Sequence, residues 1–288
     1  MPKAAPFEEH HERYDAWFGE HAFAYLSELL ALRPFVPWQG RGLEIGVGTG
    51  RFAAPLGVGV GLDPAPAMLA HAAARGIEVV EGVAEHLPFA DHSFDHALLV
   101  TTLCFLDAPD QALREARRVL TPDGRLVIGF VDRNSALGQL YAQRREQSLF
   151  YREATFRSAE EVEQLLLGSG FAIEAWGQTL AQAPDEMCEI DPLRPGHGRC
   201  PFVVVAASPA RAFRGQPGGL GLGAGGTPWA GGGTGQADRP LYRAWMRAAI
   251  SLGVSTLPTE TTWSSMASAG VDITPWAAIS AKSVTFCT

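Results

Sequence analysis

The spacing of apolar and polar positions changes period several times along the chain, and each change marks an element. Residues 8–32 place Tyr14, Trp17, Phe18, Ala22, Tyr25, Leu26, Leu29 and Leu30 at helical intervals, with Gly19 as a candidate break and Pro34 and Pro37 as terminators. GLEIGV (42–47) reads as a buried strand, followed by a glycine-rich stretch and a short helix in TGRFAAPLG. VGVGLD (58–63) is a second strand, and PAPAMLAHAAARG (64–76) is a helix with Gly76 at its C′ position. IEVVEG (77–82) is a third strand, and residues 93–105 contain a fourth. A helix over 107–124 takes Asp107 as its N-cap and ends in a Pro-Asp-Gly turn, and RLVIGFVD (125–132) is a fifth strand. Ser158 and Glu161 form a capping box for a last helix over 158–169. FAIEAWGQTL (171–180) and CPFVVVAAS (200–208) follow with no helix between them, which predicts an antiparallel edge hairpin. Strands alternating with helices predict an α/β fold with a doubly wound, mostly parallel sheet.

Composition divides the chain near residue 210. Residues 1–210 hold 17 basic and 28 acidic residues, a net of −11, while residues 211–288 hold six basic and three acidic ones. The stretch 211–239 is glycine-rich and reads as a flexible linker. Residues 240–288 read as a poorly ordered tail with one short helix in PLYRAWMRAAISLG (240–253). The tail has two readings, a linker to a small docking element or the product of a shifted or read-through reading frame. The fold reads as complete by about Ser208, and no function is placed beyond it. The net charge of −8 argues against a nucleic-acid partner. No apolar run is long enough to span a bilayer, and the charged N-terminus is not a secretory signal. Four scattered cysteines without a CxxC pair predict reduced thiols in a cytoplasmic protein, and the histidine spacing matches no metal motif.

The chemistry concentrates in LEIGVGTG (43–50). A glycine loop at the end of a first strand lies where doubly wound sheets bind ligands. Gly46, Gly48 and Gly50 are expected to clear β-carbons from the path of an adenosine-containing cofactor. Their G-x-G-x-G spacing differs from the G-x-G-x-x-G that brings a pyrophosphate to a helix N-terminus, which favours S-adenosylmethionine over a dinucleotide. Glu44 is a carboxylate inside a buried strand and calls for a partner such as the ammonium of an amino-acid-like ligand. Asp63 ends the second strand, placed to accept ribose hydroxyls.

These segments resemble the class I S-adenosylmethionine-dependent methyltransferases of the ubiquinone/menaquinone-biosynthesis-like, type 11 group. LEIGVGTGRF, GLDPAPAML, EGVAEHLPFADHSFDHALLVTTLCFLDAP and ALREARRVLTPDGRLVIGFVD carry the likeness, which runs from about residue 9 to about residue 208. The resemblance implies a Rossmann-like methyltransferase fold of seven strands with the last antiparallel. It implies Gly46, Val47 and Gly48 against the methionine part of the cofactor, Asp63 on the ribose, and Pro64 and Met68 flanking the adenine. It also implies the Ala84 amide on the adenine ring with Glu85 beside it, and Thr101 facing the sulfonium. Val83 departs from the aspartate of many relatives and removes one acceptor for the adenine amino group. Tyr14 and Trp17 resemble the N-terminal lid of the family; they either cover the cofactor or pack a helix on the sheet.

The expected reaction is in-line methyl transfer to a small-molecule acceptor, for which positioning and desolvation provide most of the rate. No residue stands out as a general base. His10, His11 and His21 lie near the expected cleft mouth, and Cys104 reads as an inert buried thiol. Residues 134–157, with Leu137, Leu140, Tyr141, Phe150, Tyr151 and Phe156, either line the acceptor pocket or fold back on the sheet. Arg144, Arg145 and Arg152 either attract an anionic acceptor or, the favoured reading, are solvated charge. Two other functions stay open, a nicotinamide-dependent oxidoreductase and a binding module without turnover.

Overall fold

The computed structural model describes residues 3–210; the linker and the helix expected at 240–253 lie outside the described residues. Three helices open the fold, α1 (Ala5–Glu9), α2 (His11–Glu20) and α3 (Ala22–Leu32). The predicted break falls at His21, two residues after Gly19, which sits inside α2. The strands are β1 (Gly42–Ile45), β2 (Val60–Asp63), β3 (Glu78–Glu81), β4 (Phe94–Val100), β5 (Leu120–Val131), β6 (Phe171–Thr179), β7 (Arg194–Pro195) and β8 (Phe202–Pro209). Between them run α4 (Ala53–Leu56), α5 (Pro66–Ala74), α6 (Pro109–Val119), α7 (Ala136–Gln143) and α8 (Ala159–Gly168).

The sheet order is β3-β2-β1-β4-β5-β8-β6-β7. β1 to β5 pair in parallel, and β8 runs antiparallel to both β5 and β6. The fold is therefore the expected Rossmann-like α/β sheet with an antiparallel last strand, with two differences. The last strand lies inside the sheet, between β5 and β6, so the hairpin is not simply an edge. An eighth strand of two residues, β7, pairs with the outer side of β6.

Alternate residues of the central strands feed two apolar layers, the period expected of strands buried on both faces. Leu43, Ile45, Leu99 and Ile128 pack with Leu113 of α6 and Val162 of α8. Leu98, Val100 and Val127 pack on the other face with Tyr25, Leu29 and Leu32 of α3 and Leu69 of α5. The Pro-Asp-Gly segment is not a turn before β5 but a bulge within it. Pairing steps from Phe94–Leu120 to His96–Arg125, leaving residues 121–124 out of register. The capping box of α8 forms as expected, with the Ser158 amide donating to Glu161 at 2.9 Å and the Glu161 amide to Ser158 at 3.3 Å. Asp107 does not cap α6: Ala108 holds the N-cap position and no side chain bonds there in the usual way. Among the described residues no helix is long and apolar enough to cross a membrane.

Candidate active site

The strand order reverses between β1 and β4, and the loops leaving their carboxyl ends diverge to open a crevice. The loop after β1 takes positive φ at Gly46 (75°), Gly48 (53°) and Gly50 (79°), where a side chain would be strained. The three glycines nevertheless have different neighbours. A Cβ on Gly46 would collide with Thr102, whose hydroxyl donates to the Gly46 carbonyl at 3.2 Å. A Cβ on Gly50 would press on Ile77 at 2.6 Å and on Ala72 of α5 at 3.1 Å. A Cβ on Gly48 would meet only ordinary contacts, Met68 at 3.4 Å and the Tyr14 ring at 3.7 Å. All three positions require glycine, but for different reasons: at Gly46 and Gly50 a side chain would also run into internal packing, while at Gly48 the backbone conformation alone demands it.

Asp63 closes β2 beneath this loop. Its Oδ2 accepts the Gly48 amide at 2.9 Å and its Oδ1 the Ala65 amide at 3.0 Å. Burial raises its pKa to about 6, with both amides acting in the opposite sense. Glu44, inside β1, is 1% exposed, and its Oε2 has no partner among the described residues. Burial lifts its pKa well above the carboxylate range, against the pull of the Ala53 amide. Val47 turns its side chain into the core over Gly61, and its amide donates to the Leu62 carbonyl at 3.0 Å. Thr101 leaves β4 with φ 53°, a strained position for a β-branched residue. Its amide donates to Gly129 at 2.7 Å, which holds it at the strand end. Pro64 is half-buried, and Met68 is buried beside Gly48.

Residues 83–85 bring Ala84 into the core, and Val83 bridges to His86. The Glu85 carboxylate turns away, accepting the Asp107 and Ala108 amides at 3.1 and 3.2 Å at the entry to α6. That contact takes the place expected of Asp107.

α2 crosses the glycine loop. Tyr14 meets Phe7, Phe18 and Phe150 edge-on, with ring centroids 5.4–5.7 Å apart. Burial raises the Tyr14 hydroxyl pKa; Asp63, Glu44 and Glu28 add to it, and the Thr101 side chain opposes. Asp15 latches the helix down: Arg51 donates to it at 2.8 Å and Arg75 at 2.9 Å, while Arg75 also donates to the Thr49 carbonyl at 2.7 Å. Burial opposes ionisation of Asp15, but the bonds and charges of its partners prevail and lower its pKa to about 2. Glu8 accepts the Ala67 amide of α5 at 2.8 Å, and His11 lies 2.9 Å from His71. His21 stacks on Trp17 and has both ring nitrogens engaged, one by Asp185 at 2.7 Å.

Thr101 lines a small cavity of about 20 Å³ together with Leu103, Cys104, Phe130, Val131, Tyr151, Phe156 and Arg157. Tyr141 and Tyr151, from the predicted acceptor segment, stack at 5.2 Å, and Phe105 stacks on the far side of Tyr151 at 6.0 Å. Burial pushes the Cys104 thiol up to about 12, which leaves it unreactive. Arg144, Arg145 and Arg152 are exposed. Sequence reasoning passed over Thr102, the Asp15 latch and Glu28. Glu28, on α3, is 6% exposed and has no hydrogen-bond or ion-pair partner among the described residues.

Residues 43–128 match the family model described as a methyltransferase domain. An uncharacterized protein of Methanocaldococcus jannaschii is 41% identical over 201 residues, 70% of this chain and 97% of that protein. An uncharacterized protein of Mycobacterium tuberculosis is 40% identical over 218 residues, 72% of this chain and 75% of that one. A crystal structure from Thermotoga maritima superposes with a TM-score of 0.70 at 46% identity, covering 72% of this chain and 99% of that chain. That protein is described as an S-adenosylmethionine-dependent methyltransferase, possible histamine N-methyltransferase. The sheet order, the glycine loop ending under Gly48 and these likenesses agree, against the oxidoreductase alternative. The chain belongs to the class I S-adenosylmethionine-dependent methyltransferases of the type 11 group, with S-adenosylmethionine as its cofactor.

Proposed function

We propose that this protein methylates a small organic acceptor held between α2, α3 and residues 134–157. The observation that carries the reading is the adjacency of two features. Gly48, next to Met68 and Tyr14, and the orphaned Glu44 oxygen belong to β1 and its loop, while Thr101, at the end of the neighbouring β4, lines a small cavity with Tyr151, Phe156 and Arg157. The cradle fits the cofactor. Glu44 would receive its ammonium, and the backbone from Gly46 through Val47 to Gly48 its methionine part. Asp63 would take the ribose hydroxyls, since each of its oxygens keeps a free lone pair. Pro64, Met68, Val83 and the backbone of Ala84 and Glu85 would border the adenine.

When bound, S-adenosylmethionine supplies a methyl group already activated by a sulfonium. The residues of the chain then have to position and desolvate. Tyr14 and the latched α2 exclude water from above, and Thr101, fixed by Gly129, sets the floor at the end of β4. The description of the Thermotoga protein as a possible histamine N-methyltransferase is in keeping with a small-molecule substrate. The reduced thiols of Cys104 and Cys200 suit a reducing, cytoplasmic setting.

Two measurements test this. Asp63→Ala should weaken S-adenosylmethionine binding by about 10–100-fold in calorimetry, the worth of charge-assisted hydrogen bonds. Labelled methyl donor should mark at least one member of a panel of phenols, quinols, amines, alcohols and carboxylates. Label entering only protein or nucleic acid would overturn the small-molecule reading.

A further inference from the structure

Arg157 is a cation that neither the fold nor the cofactor cradle accounts for. It lies at the end of the acceptor segment, between Phe156 and Ser158, the N-cap of α8. Backbone hydrogen bonds on both sides pin it. The Thr155 amide donates to the Cys104 carbonyl at 2.7 Å, just after β4, and the Arg133 amide donates to the Arg157 carbonyl at 2.9 Å, just after β5. Arg157 is thereby fixed across the carboxyl ends of two paired strands, and it lines the small cavity that it shares with Thr101. Of the residues lining that cavity it alone carries a charge. Its Nε is shut off from solvent without a hydrogen-bond partner, and its side chain has no ion pair among the described residues. Glu161, which feels its charge, is already engaged, by Arg133 at 2.9 Å and by the Ser158 amide at 2.9 Å. Burial keeps the Cys104 thiol and the Tyr151 phenol neutral, so neither serves as its counter-ion.

A buried donor without an acceptor is costly, and more so on a charged group. The apolar walls, Leu103, Phe130, Val131 and Phe156, strengthen the attraction between a guanidinium and an anion beyond its value in water. A cationic group in the cavity would meet repulsion from Arg157, and a neutral one would leave the buried end of the guanidinium uncompensated. The cavity, about 20 Å³, has room for one water-sized group, which suits a single carboxylate oxygen and is too small for a phosphate. We propose that the methyl acceptor carries a carboxylate and that Arg157 binds it, its Nε–H donating to a carboxylate oxygen beside Thr101. The inference rests on the small-molecule reading above and adds the class of acceptor. The exposed Arg144, Arg145 and Arg152 lack this enclosure.

The test uses the full chain with labelled methyl donor and matched sets that share a nucleophile and differ in charge. These are 4-hydroxybenzoate, 4-hydroxybenzamide and 4-hydroxybenzylamine; 3-aminobenzoate and 3-aminobenzamide; and β-alanine and β-alaninamide. Label is expected in acids, about tenfold or more above their matched amides and amine. Arg157→Gln should lower kcat/KM for the labelled acid by about 100-fold while S-adenosylmethionine affinity, which reports a folded cradle, holds. Arg157→Lys, which keeps the charge but not the planar fork, should recover part of the loss. Calorimetry of that acid without methyl donor should show binding that weakens with added salt in the wild type and is lost in Arg157→Gln. Label in amides or amines as readily as in acids, or acid turnover unchanged by Arg157→Gln, as it would be if the cavity held only water, overturns the carboxylate assignment and leaves the small-molecule reading standing. Label in no small molecule overturns both.

Discussion

The glycines of one loop carry different burdens, and substitution separates them. Gly46→Ala places a methyl group against Thr102 in left-handed backbone, so strain and overpacking together should cost about 2–4 kcal/mol of stability. Gly48→Ala carries the strain but no clash; urea denaturation should show about 1–2 kcal/mol lost, with the larger effect on S-adenosylmethionine affinity. Equal effects of the two on stability would contradict the division. His96 is a second residue with its own signature. It is 1% exposed, both ring nitrogens lack partners among the described residues, and burial lowers its pKa from 6.5 to about 4. The unfolded chain takes up a proton below pH 6.5 while the folded one stays neutral, so the contribution of this group falls as pH drops toward 4 and then levels. Between pH 7 and 5 it should fall by about 2 kcal/mol, against the opposite trend of the buried carboxyls, and the stability difference between wild type and His96→Gln in urea titrations should shift by that amount. The glycine spacing, Glu44 and Asp63 were legible in the sequence because local chemistry dictates them. Glu28 had a signal too: Tyr25, Glu28, Leu29 and Leu32 share one helical face, and an acid in such a stripe is either paired or functional.

Two helices borrow the caps that their own sequences lack. α5 and α6 both begin after alanine, and carboxylates from distant segments, Glu8 and Glu85, meet the amides at their entries. Nothing in the local sequence of either helix announces this, since the donor and acceptor lie 59 and 23 residues apart. The same holds for α2, whose place over the glycine loop depends on Asp15 reaching Arg51 and Arg75. Asp15→Asn should release that latch. Hydrogen exchange over residues 5–20 is expected to rise about tenfold with the central strands unchanged, the pattern of local opening. Uniform acceleration across the sheet would mean that Asp15 supports the whole fold. By contrast, the capping box of α8 was readable because both of its members lie within one turn.

At the scale of the molecule, a buried carboxyl on α3 makes stability depend on pH. Glu28 has a folded pKa of about 8 against 4.5 for a free glutamate. Above pH 4.5 the unfolded chain ionises while the folded one holds its proton, so this group lowers stability as pH rises, until about pH 8. His96 no longer contributes above pH 6.5, so the interval from 6.5 to 8 isolates the carboxylates; Glu28 should cost about 2 kcal/mol there. Glu28→Gln should reduce that slope and stabilise the protein at pH 8 in urea titrations. The amino-acid sequence by itself determined the α/β class, the order of the elements, the glycine loop and its reagent, because periodicity, turn chemistry and a contiguous motif are properties of neighbouring residues. Only the tertiary structure decided that β8 inserts between β5 and β6, that Thr102 and Ala72 take the space of two glycines, and that Glu85 serves α6. It also stacked Tyr141 on Tyr151 and set Tyr14 against Phe150. Each of these depends on long-range register and packing, which no local pattern specifies.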